Sequence, residues 1–114
     1  MVRILKFLIT INDMETQIIH HFADHLYAKE THIPAGQTLV QHQHTYSHFG
    51  VLAKGQVILA NAGENHIIEA PACIEIKAGL NHGVQALTDV VWYCIHSTDE
   101  KDHDKVDQVL IKGD

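Results

Sequence analysis

The amino-acid sequence predicts an all-β domain, either a sandwich or a barrel. Three observations support this prediction: short apolar runs alternate with polar residues, glycine and proline interrupt the runs, and turn signals recur about every 8 to 12 residues. About eight short strands follow from that pattern. At 114 residues and 46% hydrophobic, the chain suffices for one domain, residues 1–114, with a core that needs no disulfide.

The strands can be placed by their turns. "LYAKETHI" alternates in polarity and precedes Pro34-Ala35-Gly36, and "QTLVQHQH" continues extended, which puts Thr38, Val40, His42 and His44 on one face. Further breaks fall at Lys54-Gly55, at a hairpin over residues 62–65, near residues 78–79 and near residues 88–89. We therefore expect the barrel core at about residues 26–97.

Two flanking segments have helical patterns. In "STDEKDHDKVDQVLI", Ser97 and Glu100 form a capping box, which predicts a C-terminal helix at about residues 98–111. Near the start, the spacing of Ile18, Ile19, Phe22 and Leu26 predicts a short N-terminal helix or turn.

Charge and cysteine content narrow the function. The formal net charge is −6 and basic clusters are lacking, so we expect no nucleic acid and no membrane among the partners. Cys73 and Cys94 have no CxxC spacing, which favours reduced thiols in the cytoplasm. The opening "MVRILKFLITINDM" lacks the small-residue cleavage site of a signal peptide. A small molecule or another protein is the expected partner.

The histidines are the residues in this sequence that indicate metal binding. His42 and His44 lie two residues apart, so on a strand both rings point the same way, and alternation or a tight turn returns His48 to the pair. Imidazole is the commonest protein ligand of transition metals because it binds as the neutral form near pH 7. His82 joins this set only if the fold brings a second strand alongside.

These residues resemble the cupin superfamily. Gly36, His42, His44, His48 and Gly55 match its first motif, G(x)5HxH(x)3-4E(x)6G, with His48 at the usual glutamate position. "KAGLNH" resembles the core of the second motif, PxGxxH, and makes His82 the fourth ligand position. Lys77 replaces the motif's proline, Pro71 its leading glycine and Ala86 its trailing asparagine. The likeness is greatest to small single-domain cupins of phage, prophage and bacterial genomes.

The resemblance implies a jelly-roll (double-stranded β-helix) barrel that is a homodimer and holds one divalent metal ion per chain. His42, His44, His48 and His82 are then the ligands, and Fe, Ni, Zn, Co or Cu all suit them. Four neutral imidazoles leave the ion its full +2 charge, which favours anionic or chelating ligands. The substitution of His48 for glutamate separates this chain from glutamate-dependent cupin oxidases.

Other side chains have weaker claims to a function. Tyr46 either touches a substrate or closes the turn beside the ligands, and Trp92 and Tyr93 face opposite ways, so one of them lines the barrel. We assign Tyr46 and Trp92 to a substrate pocket. We expect His20, His21 and His25 at the surface or in packing, His66 and His96 solvated or at strand ends, and His103 on a solvated helix face. Cys73 and Cys94 we expect as buried small apolar groups.

Two functions fit this pattern. The first is a small-molecule metalloenzyme, either a dioxygenase for an enolisable or phenolic substrate or a metal-assisted isomerase. The second is a non-catalytic metal- or ligand-binding accessory module, in a phage-related setting, which the lack of a general-base carboxylate near the motifs favours. An open coordination position supports the enzyme, and closed tetrahedral zinc supports the module.

Overall fold

Nine β-strands lie in the part of the chain that the structure describes. The computed structural model describes residues 16–41, 46–61, 63–79, 82–102 and 104–106. The strands in this part of the chain are β1 Gln17–Ala23, β2 Leu26–Ile33, β3 Thr38–Gln41, β4 His48–Lys54, β5 Gln56–Asn61, β6 Glu64–Glu69, β7 Ala72–Ile76, β8 His82–Ala86 and β9 Val90–Ser97. The predicted all-β class is confirmed.

The strands form two antiparallel sheets that share one core. The five-stranded sheet has the order β1-β2-β9-β4-β7, and the four-stranded sheet has the order β3-β8-β5-β6. Residues of both sheets meet in the core, among them Leu52 and Trp92 of the first and Val57 and Val84 of the second. This arrangement is the predicted jelly roll.

Alternation along β9 decides which side chains face that core. Val90, Trp92, Cys94 and His96 are buried, and the residues between them are half-buried on the outer face. Trp92 is therefore the member of the Trp92–Tyr93 pair that faces the interior, as the period of two requires.

Gly55, the last glycine of the first motif, lies between β4 and β5. Its φ is +93°, and a Cβ there would lie 2.5 Å from the carbonyl oxygen of Asp89. Both the left-handed backbone and the close approach exclude a side chain at this position. Gly55 thus joins the two sheets at the break that the sequence predicts.

The predicted N-terminal helix or turn is wrong. Its residues belong to β1, which pairs with β2 through a tight turn at Asp24 and His25. His20 and Phe22 are half-buried on the Tyr27 side of the sheet, whereas Ile18 and Ile19 are each 46% exposed. The apolar spacing is compatible with either period, and pairing with β2 selects the strand.

The predicted start of the C-terminal helix is also wrong. Ser97 is the last residue of β9 because it pairs with Leu26, and residues 98–102 are not helical. The first helical hydrogen bond runs from Val106 N–H to the Asp102 carbonyl, with the Asp102 carboxylate capping the Asp104 N–H. Residues 107–111 of the predicted helix lie outside the described residues.

His66 is exposed and Cys94 is buried, as expected. Cys73 is exposed, contrary to expectation, and His96 lies next to the end of β9 but is buried rather than solvated. His103 lies outside the described residues. Among those that are described, no helix has the length and apolar character needed to cross a membrane.

On the outer face of the five-stranded sheet, side-chain hydrogen bonds to one carboxylate link three strands. Glu30 of β2 accepts from His21 Nε2 at 2.7 Å and from His32 Nε2 at 2.5 Å. These two bonds, helped by a third from Tyr93 of β9, lower the pKa of Glu30 to about 2. Burial and the nearby Glu30 raise the pKa of Tyr93. The ionised form of Glu30 is therefore the one that the folded state stabilises.

Glu30→Gln should destabilise the protein at neutral pH and matter less in acid. Because the folded pKa of about 2 lies below the ordinary 4.5, Glu30 contributes fully above about pH 4.5 and progressively less as pH falls towards 2. Urea unfolding midpoints of wild type and variant, measured from pH 7 to pH 3, should converge. Glu75→Gln, on the same outer face, is the matched control, and a gap for Glu30→Gln that stays constant with pH would contradict this account.

Candidate metal centre

Three buried histidines lie at one end of the barrel interior. His48 begins β4, His82 begins β8, and His96 is the last inward residue of β9. Their exposed fractions are 7%, 5% and 5%. A buried polar ring is costly unless it has partners, so such a concentration indicates a site rather than ordinary core packing.

The pairing of β4 with β9 places His48 against His96. Phe49 is the Cα partner of Ile95, and one further step of this antiparallel register sets His48 opposite His96. The two rings stack with centroids 4.3 Å apart and an angle of 25° between their planes. Neighbouring inward positions on paired strands therefore form the centre of the cluster.

Tyr27 extends the row of rings onto β2. It is the Cα partner of His96, is fully buried, and stacks on the His96 ring at 6.1 Å. Its hydroxyl lies 2.7 Å from His20 Nδ1 on β1. The aromatic and imidazole rings thus continue across four adjacent strands.

Tyr46 approaches His96 from the segment before β4. Its hydroxyl lies 3.2 Å from His96 Nδ1, and the two rings meet edge-on at 5.9 Å. A partner at Nδ1 sets the orientation of an imidazole and directs its other nitrogen, Nε2, towards a further role. Tyr46 is therefore in direct contact with the cluster, as its position in the sequence suggests.

Cys94 adds a sulfur donor to the same face of β9. The indole N–H of Trp92 donates to its Sγ at 3.2 Å. His48, Cys94 and His96 each offer a ligand atom, and these atoms lie within 4.8 Å of one another. It is the one such group in the part of the chain that the structure describes. Imidazole with sulfur fits a borderline transition metal, so these residues suit the metal that the family implies.

Two of the four predicted ligands, His48 and His82, lie among the described residues. His48 and His82 come from opposite sheets, and their ring centroids are 6.0 Å apart. His42 and His44 lie outside the described residues. Gln41, which precedes them in the chain, is the Cα partner of His82.

Sequence reasoning missed His96 and Cys94. Both follow Trp92 at steps of two residues in "VVWYCIHS", so the alternation that opposes Trp92 to Tyr93 also places all three on one face. What the sequence alone does not show is that β9 pairs with β4, which brings that face to His48.

A pocket of about 310 Å³ adjoins the cluster. His48 and His96 contribute to its lining, together with the apolar side chains of Leu26, Phe49 and Ile95. Glu75 also lines it, and like Leu26, Phe49 and Ile95 it lies on the outer face of the five-stranded sheet, whereas His48 and His96 are buried on the inner face. The pocket therefore lies against the outer face of the sheet, at the ends of β4 and β9 that carry the two histidines.

The family described as Cupin domain matches residues 29–96, more than half of the chain. Comparison with curated proteins yields no match.

Solved structures share the fold at low identity. A cupin superfamily protein from Desulfitobacterium hafniense is 8% identical, with a TM-score of 0.66 over 75% of this chain and 79% of that one. A predicted oxalate decarboxylase from Thermotoga maritima is 13% identical, with a TM-score of 0.63 over 72% and 80%. A salicylate 1,2-dioxygenase variant from Pseudoaminobacter salicylatoxidans, in complex with gentisate, is 13% identical, with a TM-score of 0.68 over 82% and 30%. At these identities the likeness concerns the fold.

Gly50→Ala should displace Trp92 and disturb its bond to Cys94. A Cβ at Gly50, the Cα partner of Cys94, would lie 2.3 Å from Cζ2 of Trp92, and overpacking of this kind costs about 1–3 kcal/mol. We expect a lower melting temperature and a shifted fluorescence spectrum, for which the single tryptophan is a clean probe. Gly83→Ala is the control, since its Cβ would meet only Leu39 O at 3.5 Å. An unchanged spectrum in Gly50→Ala would refute the packing argument.

Proposed function

This chain belongs to the cupin family, and from that premise we propose that it is a metal-dependent enzyme acting on a small molecule. The proposed ion is a single divalent transition metal, bound by His42, His44, His48 and His82. The reaction class is a dioxygenase or a metal-assisted isomerase. The observation that carries this proposal is the meeting of His48 and His82, buried and from different sheets, at one end of the barrel.

The chain on either side of His42 and His44 supports their inclusion. Gln41 pairs with His82, and Tyr46 contacts His96, so the segment that bears both histidines leaves and rejoins the described structure beside the cluster. Leu39 packs on the core while Thr38 is exposed, and β3 ends at Gln41.

The charge of the site sets the substrate class. Neutral imidazoles leave a bound divalent ion at +2, which supplies Lewis acidity or a binding place for O2 and an oxygen-bearing substrate. The Tyr46 hydroxyl lies 3.2 Å from His96 Nδ1 and can exchange a proton with it. Enolisable or phenolic oxygen ligands fit this environment.

A non-catalytic metal- or ligand-binding module is the second candidate. The lack of a general-base carboxylate near the motifs favours it, and the carboxylate at the pocket, Glu75, lies on the outer face of the sheet. It remains the better function if the ion is held in a closed coordination shell.

Assembly and compartment complete the proposal. We propose a cytoplasmic homodimer, and the outer face of the five-stranded sheet supports pairing, because Leu26 and Phe49 are each at least 50% exposed there.

Ligand substitutions test the four-histidine set. His44→Ala and His82→Ala should each lose most of one Ni(II) equivalent per chain, since each removes a donor from the same ion. His48→Glu should retain the metal, because a carboxylate oxygen can take the same position. Elemental analysis after gel filtration at neutral pH measures all three, and His66→Ala, on the exposed β6, is the control. Full Ni(II) content in His44→Ala and His82→Ala would exclude this ligand set.

Oxygen uptake distinguishes the enzyme from the module. The Fe(II)-loaded protein should consume O2 in the presence of a phenolic acid such as gentisate, and His82→Ala, which removes a proposed ligand of the ion, should abolish that uptake. An oxygen electrode measures the rate. A fully loaded protein that consumes no O2 and isomerises no enolisable acid supports the binding module.

A further inference from the structure

We propose that Cys94 and His96 are metal ligands, so that β9 and His48 together form a second, softer position for the ion. This inference rests on the proposed metal binding but not on His42, His44 or His82. The three donors are buried, and their ligand atoms lie within 4.8 Å of one another. Their thiolate, imidazole, imidazole chemistry suits Zn(II), Co(II) and copper rather than harder ions.

Each of the two β9 ligands has a neighbour that prepares it for this role. The Trp92 N–H donates to Cys94 Sγ at 3.2 Å, which favours a negatively charged sulfur and fixes its position. Tyr46 engages His96 Nδ1, which directs Nε2 to the ion in the way that outer hydrogen bonds orient metal-binding histidines. A small buried cysteine packed only for its volume needs neither neighbour.

Gly50 makes room for this arrangement. It is the Cα partner of Cys94, and any side chain there would meet the Trp92 ring. The indole therefore lies across Gly50 with its N–H directed at Sγ. Metal binding breaks the Cys94 S–H bond, forms the sulfur–metal bond and releases the proton to solvent, while the imidazoles donate lone pairs without losing a proton.

Cobalt spectroscopy tests the thiolate directly. Co(II) added to the wild type should produce a sulfur-to-cobalt charge-transfer band in the near ultraviolet, which imidazole ligands alone do not give. Cys94→Ser should abolish the band and weaken Co(II) binding by more than about tenfold. Cys73→Ser, which removes the exposed thiol, should leave the band intact. Bound Co(II) without the band in the wild type would overturn the proposal.

A measurement on the wild-type protein tests the sulfur ligand without relying on the folding of a variant. X-ray absorption of the Zn(II)-loaded wild type should show a sulfur neighbour at about 2.3 Å and nitrogen neighbours at about 2.0 Å. A shell of nitrogen and oxygen only would refute the inference.

His82→Ala separates this inference from the proposed function. We expect it to lose Ni(II) but keep the cobalt band. If His44→Ala and His82→Ala both keep Ni(II) while the band is present, the four-histidine set fails and the thiolate position stands. If both variants lose Ni(II) and the wild type never shows the cobalt band, the thiolate position fails and the four-histidine set stands.

Discussion

The antiparallel pairing of β4 with β9 is the constraint on which the candidate centre depends. It sets His48 beside His96, Gly50 beside Cys94, and Leu52 beside Trp92. A slip of one residue would turn each of these side chains to the opposite face and dismantle the cluster. Gly50, diagonal to Trp92 on the neighbouring strand, also favours this register, because a Cβ there would lie 2.3 Å from Cζ2 of the Trp92 ring.

Burial of the three imidazoles costs free energy, which the apolar part of the interior offsets. Leu52, Val57, Val84 and Ile76 are essentially inaccessible, and each fully buried side chain of this kind contributes about 1.5–3 kcal/mol. The polar rings are confined to one end, where the Tyr46 hydroxyl is a hydrogen-bond partner of His96 and Tyr27 stacks on the same ring. The apolar end therefore stabilises the fold, and the polar end holds the candidate metal ligands.

Strand existence and turn positions were predictable because they depend on local rules: a period of two for side chains, and glycine where φ is positive. Gly55 illustrates this, since its conformation and its contact both exclude other residues. The pairing partner of a strand is a long-range property. Because that property was unknown, β1 was predicted as a helix or turn, and His96, expected to be solvated or at a strand end, is buried against His48 near the end of β9. His82 was proposed as a ligand from the motif that it resembles, not from its local pattern, and that role stays a prediction.

The two proposed ligand sets share His48, and that sharing limits what the site can hold. A neutral imidazole has one lone pair, since its other nitrogen carries a hydrogen, so His48 serves one ion at a time. Occupation of the β9 position by a soft ion therefore removes His48 from the all-histidine position. Occupation of the all-histidine position likewise removes His48 from the β9 position. The identity of the metal, rather than a change in fold, would then decide which position is filled. A thiolate-bound ion carries a lower net charge than one bound by imidazoles alone, so a soft metal would also reduce the attraction for the anionic substrates that the all-histidine position favours.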